Sequence, residues 1–213
     1  MNRNYQKELD RIIQKQGNDR PRLLLHACCG VCSAPVLEYL TQFFDVTLLW
    51  YNPNLYPAEE FTRRLDTLRE MLGKMGFAER VGLIERAWRP EDYRGRAAGL
   101  EDEPEGGRRC TVCFRLRLEE TAKTAAALGF DYFCTTLTVS RHKDAARINA
   151  LGEELGRAAG VAWLPSDFKK QGREMRATEL AEQLGLYRQL YCGCEYSLRK
   201  REEHPTAGEK AEK

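Results

Sequence analysis

Short apolar runs alternate with longer amphipathic segments along this chain. Five runs are short and almost uninterrupted, as is typical of strands buried on both faces: Leu23–Leu25, Val46–Tyr51, Val81–Ile84, Tyr132–Thr138 and Val161–Leu164. Because a helical segment separates most neighbouring runs, the pattern predicts an α/β protein with a parallel sheet flanked by helices.

The amphipathic segments have apolar residues at every third or fourth position. They predict helices at Tyr5–Gln16, Ser33–Phe44, Pro57–Lys74, Thr111–Leu128, Lys143–Ala159 and Arg173–Leu184. The polar stretch 89–109 is expected to hold a short helix and then a loop, and Gly160 is expected to end a helix. We predict one domain over residues 1–200, with a helical, metal-binding C-terminal part. A charged, disordered tail is predicted over 201–213.

Seven of the eight cysteines fall in three tight clusters, namely Cys28, Cys29 and Cys32, then Cys110 and Cys113, then Cys192 and Cys194. The first cluster follows the first predicted strand, at the carboxyl edge where parallel sheets carry their sites. Thiol clusters separated by long stretches of chain indicate metal ligands. Cys134, alone in a predicted strand, is expected to be a small buried apolar residue.

Three kinds of site could account for these cysteine clusters. Cys29 and Cys32, spaced C-x-x-C at the start of a helix, are typical of a thioredoxin-like dithiol oxidoreductase. Two cysteine pairs could also form a structural zinc site in an RNA-binding module. Seven thiols exceed both needs, whereas an iron–sulfur cluster takes four and leaves three, with a carboxylate, for a second metal.

Missing motifs, the net charge and the length of the apolar runs count against several classes of protein. There is no G-x-G-x-x-G, P-loop or H-E-x-x-H motif, so nicotinamide-binding Rossmann enzymes, P-loop NTPases and zinc metallopeptidases lose support. The 34 basic and 32 acidic residues leave a net charge of only +2, which by itself does not indicate nucleic-acid binding. No apolar run approaches the roughly 18–20 residues of a membrane span, and residues 1–18 are too polar for a secretory signal. A cytoplasmic protein is therefore predicted.

Polar residues stand where the predicted strands end. His26 ends the first, and it is expected either to donate a proton or bind metal, or to be a hydrogen-bonded structural residue. Tyr51 and Asn52 end the second, where they line a pocket or form a turn. Asp167 follows the last strand, and a turn and a metal or proton-transfer role are equally compatible with its position.

Six separated segments form a longer pattern, in this order: Leu23–Ser33 (LLLHACCGVCS), Tyr51–Pro57 (YNPNLYP), Arg109–Leu118 (RCTVCFRLRL), Gly129–Ser140 (GFDYFCTTLTVS), Ser166–Gly172 (SDFKKQG) and Tyr191–Ser197 (YCGCEYS). Together they resemble the QueH family of epoxyqueuosine reductases. One departure is Val31, where many members have proline, and it leaves the cysteines unchanged.

The resemblance implies reduction of epoxyqueuosine to queuosine at the wobble position of a tRNA. It also implies an α/β fold of the adenine-nucleotide-hydrolase type, Rossmann-like, with a [4Fe-4S] cluster beside an additional iron ion and an external electron donor. Spacing suggests Cys29, Cys32, Cys110 and Cys113 for the cluster, and Cys28, Cys192, Cys194 and Asp167 for the second iron.

Residue types and their positions in the chain indicate further candidate site residues. His26, Tyr51, Asp167 and Tyr191 are candidates for proton transfer. The candidates for contacts to tRNA phosphates are Arg108, Arg109, Arg115, Lys169 and Lys170. An iron–sulfur tRNA-thiolating enzyme stays open as an alternative, but it should carry an S-G-G-x-D-S phosphate loop where this chain has His26–Gly30.

Overall fold

Five parallel strands form the centre of the structure, a computed structural model that describes residues 3–203. The strands are β1 (Arg22–His26), β2 (Asp45–Trp50), β3 (Gly82–Glu85), β4 (Tyr132–Thr135) and β5 (Ala162–Trp163). Their order is β3-β2-β1-β4-β5, and every neighbouring pair is parallel. The predicted parallel α/β sheet is confirmed. The strand order reverses at β1, and ligands bind at such a reversal in open α/β sheets.

Helices flank this sheet along the described part of the chain. They are α1 (Tyr5–Gln16), α2 (Gly30–Leu40), α3 (Ala58–Lys74), α4 (Pro90–Ala97), α5 (Arg108–Ala127), α6 (Ala145–Ala159), α7 (Arg173–Gln183) and α8 (Glu195–Glu203). Helix α2 packs against α3 and α7, and α5 packs against α6. Among residues 3–203, no helix combines the length and apolar character that a membrane crossing requires.

The middle of the sheet is the most deeply buried part of the fold. Leu23, Leu24 and Leu25 of β1 are completely inaccessible, because helices cover both faces of this strand. Local signals set the helix ends: Asn4 accepts a hydrogen bond from the Lys7 amide, and Gly160 ends α6 in the left-handed conformation with φ 75°.

Three predicted boundaries are corrected around the carboxyl edge of the sheet. Strand β4 ends at Thr135 rather than at residue 138, because the Thr135 hydroxyl accepts from the Leu137 amide and starts a short 3-10 helix, Thr136–Val139. Helix α2 begins at Gly30 rather than at residue 33. Helix α5 begins at Arg108 rather than at residue 111, so both cysteines of the second cluster lie in its first two turns.

The C-terminal part also differs from the expectation. The predicted tail starts at residue 201, whereas helix α8 continues to Glu203; residues 204–213 of that tail lie outside the described residues. None of the α8 residues is buried, so the helix has no apolar periodicity that a sequence pattern could detect. Its first turn is held by Ser197, whose hydroxyl donates to the Cys194 carbonyl.

Candidate metal centre and active site

The three cysteines of the first cluster converge at the end of β1. Cys29 is the N-cap of α2, and its sulfur accepts a hydrogen bond from the Cys32 amide at 3.3 Å. All three Sγ atoms lie within 4.8 Å of one another, with 3.9 Å between Cys28 and Cys29. A tight turn after a buried strand therefore brings three soft ligand atoms to one point, which suits iron or another thiophilic metal.

The surroundings favour one negative charge within this three-thiol group. The thiols of Cys29 and Cys32, followed by Lys143 and the Thr136 hydroxyl, hold the pKa of Cys28 well below its ordinary value. In return, the interaction with Cys28 and burial raise the pKa of Cys29 to about 12. The Thr136 hydroxyl donates to Cys28 Sγ at 3.2 Å. This network holds the sulfurs in place and stabilises a thiolate, the form that binds metal.

The other four clustered cysteines come from two later segments of the chain. Cys110 and Cys113 are on α5, and Cys192 and Cys194 precede α8. Burial raises the pKa of Cys113 to about 12, Arg117 opposes this effect, and the charges of the other three thiols add to it. These four cysteines therefore share one electrostatic environment. The split suggested by spacing separates Cys28 from Cys29 and Cys32, whereas the structure brings these three together.

A cavity of about 410 Å³ opens beside these thiols at the carboxyl ends of β1, β2 and β4. Its lining includes Cys28, Cys32, Asn52, Asn54, Leu55, Arg64, Glu105, Arg117, Leu137, Ser140, His142, Lys143, Gln189, Leu190, Tyr191 and Cys192. We call it the thiol cavity. Its place at the reversal of strand order agrees with the predicted site.

Positive charge dominates the wall of the thiol cavity. Arg117 is 4% exposed, and its guanidinium donates to Cys113 Sγ at 3.2 Å. Burial opposes the charged form of Lys143, but the neighbouring thiolates of Cys192 and Cys28 outweigh it and raise the lysine pKa. Both cations therefore offset part of the negative charge that thiolates bring to this region.

The proton-transfer candidates differ in their positions. His26 is inaccessible, with Nδ1 2.8 Å from Thr135 Oγ1 and Nε2 3.1 Å from the Tyr51 carbonyl, and burial first of all lowers its pKa to about 4. It is thus a neutral residue that ties β1 to its neighbours, which supports the structural alternative. The Tyr51 hydroxyl lies 3.4 Å from Asp92 and does not line the thiol cavity.

Tyr191 and Asp167 occupy different places. Tyr191 lines the thiol cavity, donates its hydroxyl proton to the Tyr56 carbonyl, and has a pKa raised to about 12, mainly by burial. Asp167 lies in a neighbouring pocket, where it is 2.6 Å from Lys169 Nζ. The structure therefore brings Tyr191, but not Asp167, into the cavity with the cysteines.

The pocket around Asp167 is also lined by more cationic than anionic side chains. Its charged lining residues are Arg3, Lys143, Asp144, Asp167, Lys169 and Lys170, and we call it the basic pocket. It has a volume of about 510 Å³ and shares Lys143 with the thiol cavity. Two of the residues predicted to contact tRNA, Lys169 and Lys170, thus lie next to the candidate active site.

The three predicted arginines have other partners. Arg109 is 4% exposed and donates to the carbonyls of Leu100 and Glu101, so its prediction as a phosphate ligand is corrected: the guanidinium is used inside the fold. Arg108 is paired with Glu103, and Arg115 with Glu154. These two pairs lie on the surface, and the role of both arginines in tRNA binding stays a prediction.

Several lining residues were missed by the sequence pattern. Arg64 is 3% exposed, pairs with Glu60 at 2.6 Å, and donates to the carbonyls of Tyr191 and Cys192. Nothing in the periodicity of α3 distinguishes this arginine from its exposed neighbours. Arg117 could have been found, because a residue four positions after Cys113 lies on the same helix face.

Gly193 holds the third cysteine cluster in its conformation. Its φ of 119° strongly favours glycine, and an added Cβ would lie 2.5 Å from Leu55 Cδ2 and 2.8 Å from Arg64 Nη1. The residue between Cys192 and Cys194 is therefore glycine for two independent reasons, backbone conformation and lack of space.

Replacing Gly193 with alanine should displace both flanking cysteines. We expect the metal content to fall and the free energy of unfolding to drop by roughly 1–3 kcal/mol, as measured by metal analysis and denaturant titration. Gly185→Ala is the matched control, because Gly185 also has a positive φ of 60° but nothing within 4 Å of an added Cβ. Equal effects of the two substitutions would show that backbone strain alone matters.

Comparison with known proteins identifies similar sequences. The family model described as "Epoxyqueuosine reductase QueH" matches residues 23–200. A relative of that name from Streptococcus pyogenes serotype M1 is 40% identical over 92% of this chain and 80% of its own length. Another, from Staphylococcus epidermidis, is also 40% identical, over 92% of this chain and 85% of its own length.

Among solved structures, the fold resembles the U34-tRNA thiolase NcsA from Methanococcus maripaludis with its [4Fe-4S] cluster. The TM-score is 0.51 at 14% identity, over 94% of this chain and 75% of that chain. At this identity the likeness concerns the fold alone. The family model, in contrast, spans most of the sequence and includes all three cysteine clusters, and the relatives at 40% identity extend over nearly the whole chain; this chain therefore belongs to the epoxyqueuosine reductase QueH family.

Proposed function

We propose that this protein reduces epoxyqueuosine to queuosine at the wobble position of a tRNA. The observation that carries the proposal is the three-thiol group beside the thiol cavity, in a chain of this family. The reaction breaks both carbon–oxygen bonds of the epoxide, forms a carbon–carbon double bond and releases the oxygen as water. It consumes two electrons and two protons, so the site needs a redox centre and a source of protons.

The seven clustered cysteines are proposed to hold iron. The donor set fits, because thiolates are the ligands that iron–sulfur clusters take, and the three sulfurs of the first cluster already lie together. We assign these three to a [4Fe-4S] cluster with a fourth ligand from the other clusters, which leaves three cysteines for an additional iron. Such a centre supplies electrons singly and a Lewis acid for the epoxide oxygen. An external electron donor must therefore act twice in each turnover.

The protein contributes charge, shape and proton donors. Arg117 and Lys143 line the cavity and offset the charge of the thiolates. Tyr191 is the one predicted proton-transfer candidate that lines the thiol cavity, and we propose that it supplies a proton there after its hydroxyl leaves the Tyr56 carbonyl. Asp167 is not proposed as an iron ligand, because it lies in the basic pocket, paired with Lys169.

The surface next to the cavity suits the single-stranded anticodon loop of a tRNA. Leu190 is 67% exposed and lines the mouth of the thiol cavity, where its apolar surface can pack against a base. The basic pocket adjoins the cavity through Lys143, so a target nucleoside in the cavity would place a neighbouring phosphate near the pocket. Stacking combined with cationic contacts is how unpaired RNA is usually bound.

The alternatives receive less support. A dithiol exchanger needs only Cys29 and Cys32, yet the Cys28 sulfur lies with theirs. The tRNA-thiolating alternative shares the fold, but the position of its expected phosphate loop is occupied by His26–Gly30, where His26 is inaccessible. The relatives at 40% identity are named as reductases.

The direct test is anaerobic purification with iron and acid-labile sulfide analysis, followed by incubation with epoxyqueuosine-containing tRNA and a chemical reductant. Mass spectrometry of the nucleosides should reveal queuosine, and removal of iron should abolish its formation. An iron-loaded protein that leaves the tRNA unchanged under reducing conditions would overturn the proposed substrate.

Lys170 provides a test of the proposed tRNA contact. Lys170→Gln should raise KM for tRNA with little change in kcat, because the lysine is expected to contact a phosphate rather than the reacting ring. The slope of log affinity against log salt should fall by about 0.7–0.9, the value for one lost phosphate contact. Lys15→Gln is the control, because Lys15 lies in the last turn of α1, away from the basic pocket. An unchanged slope for Lys170→Gln would place the phosphate elsewhere.

A further inference from the structure

Amide and hydroxyl groups donate hydrogen bonds to the sulfurs of the first cysteine cluster. The Thr136 hydroxyl donates to Cys28 Sγ at 3.2 Å. The sulfur of Cys29 accepts twice, from the Cys32 amide and from the side-chain amide of Gln189, each at 3.3 Å. The Cys32 amide belongs to the turn that forms the cluster, whereas Thr136 and Gln189 lie 108 and 160 residues further along the chain than the cysteines they contact. The tertiary fold therefore supplies both side-chain donors.

Gln189 is held in place by contacts on both sides of it. It lies in the segment 184–194, between α7 and α8. Before it, the Tyr187 hydroxyl donates to Glu60 at 2.9 Å; after it, Arg64 donates to the backbone carbonyls of residues 191 and 192. Glu60 and Arg64 both belong to α3 and pair with each other at 2.6 Å. Because α3 binds this segment before and after Gln189, the side-chain amide stays within reach of the Cys29 sulfur.

The hydroxyl of Thr136 is oriented by a second hydrogen bond. Thr136 is completely buried and begins the 3-10 helix after β4. Its oxygen accepts from the Cys28 amide at 3.1 Å, in addition to donating to the Cys28 sulfur. A hydroxyl group has a single proton to donate, and here that proton is used on the sulfur.

Hydrogen bonds to thiolate ligands affect the electron affinity of an iron–sulfur centre as well as its geometry. Each one-electron reduction adds a negative charge to the centre, and burial disfavours this charge. A donor close to a ligand sulfur stabilises the more negative, reduced state more than the oxidised state, so it raises the reduction potential. Cys29 is only 2% exposed, so water cannot readily replace a donor that is lost.

We propose that Gln189 and Thr136 raise the reduction potential of the metal centre by donating hydrogen bonds to the sulfurs of Cys29 and Cys28. This inference rests on the part of the proposed function that assigns these cysteines to a [4Fe-4S] cluster, and it does not depend on the substrate. Both residues are positioning residues that act through the cysteine ligands. Their effect is to let a weaker external reductant deliver the two single electrons of each turnover.

The test is an anaerobic redox titration of the iron-loaded protein, in which electron paramagnetic resonance follows the reduced cluster. Gln189→Met has a similar length but no N–H group, and Thr136→Val has a similar shape but no hydroxyl. Each substitution should lower the equilibrium constant for reduction of the cluster roughly 3- to 10-fold. For a one-electron step, this change corresponds to a potential that is about 28–59 mV more negative.

Two further variants serve as controls. Thr136→Ser retains the hydroxyl and should keep the potential close to that of the wild type. If Thr136 acted through packing alone, valine would be the milder change, because its shape is closer to that of threonine. Gln183→Met replaces an exposed glutamine at the end of α7 and should leave the potential unchanged. Iron and sulfide analysis measures the cluster content of every variant.

The possible results separate this inference from the proposed function. Unchanged potentials of Gln189→Met and Thr136→Val at full iron content would overturn the inference. Loss of iron from both variants would also overturn it, because the two residues would then only retain the metal; if one variant loses its iron, the other decides. If the expected shifts occur but the wild type leaves the tRNA unchanged, the proposed substrate is wrong and this inference stands. A wild type that binds no iron–sulfur cluster overturns both.

Discussion

Replacing Cys28 with alanine is expected to remove the bound iron–sulfur cluster and to lower the rate of queuosine formation more than about 100-fold. The loss exceeds the 10- to 100-fold typical of groups that only orient a metal ligand, because Cys28 is proposed as a ligand itself. The cause lies in the geometry, since its sulfur is 3.9 Å from that of Cys29 and its thiolate is the most stabilised of the group. Iron and sulfide analysis, with nucleoside mass spectrometry, measures both effects.

Cys134→Ala is the matched control for this experiment. Cys134 is also completely buried, but it lies within β4, and its pKa is raised mainly by burial. We expect its removal to cost about 1 kcal/mol of stability and to leave the iron content and the reaction rate close to those of the wild type. If Cys28→Ala retained the cluster and Cys134→Ala lost it, the ligand assignment would be wrong.

Replacing Arg64 with methionine is expected to give the largest loss of stability, about 3–5 kcal/mol in the free energy of unfolding. The substitution leaves the Glu60 carboxylate buried without its cation. It also removes both hydrogen bonds that hold the carbonyls of Tyr191 and Cys192. Denaturant titration of the anaerobically purified protein measures the loss of stability. Metal analysis should show a lower metal content, because the third cysteine cluster is displaced.

Two further variants separate these effects of Arg64. Arg63→Met changes the neighbouring exposed arginine, which packs over the Tyr187 ring, and should cost less than about 1 kcal/mol. Adding Glu60→Gln to Arg64→Met removes the unpaired buried charge and should restore part of the stability, but it does not replace the contacts to residues 191 and 192. Recovery of full metal content in the double variant would show that Arg64 acts only through Glu60.

Much of the fold could be predicted from the sequence. Each strand was located to within three residues, because a strand buried on both faces needs a continuous apolar run, and α1 was predicted with its observed boundaries. The errors lie near the site. Thr135 ends β4 early through a side-chain hydrogen bond, and helix α8 has no buried residue and so no apolar pattern.

The sequence by itself also determined the chemistry: clustered thiols that exceed the needs of a dithiol or a single zinc, in six motifs shared with the QueH family. Residue types and local spacing are sufficient for this conclusion, because ligand preference is a property of the side chains themselves.

Only the tertiary structure decided how the candidate residues are arranged. It brought Cys28 together with Cys29 and Cys32, buried His26 between strands, and placed Asp167 in the basic pocket rather than in the thiol cavity. The physical reason is that distance, burial and hydrogen-bond satisfaction depend on chain segments that meet only in the fold. Spacing along the chain determines which residues can be neighbours on one helix or turn, whereas packing between elements determines which of them share a site.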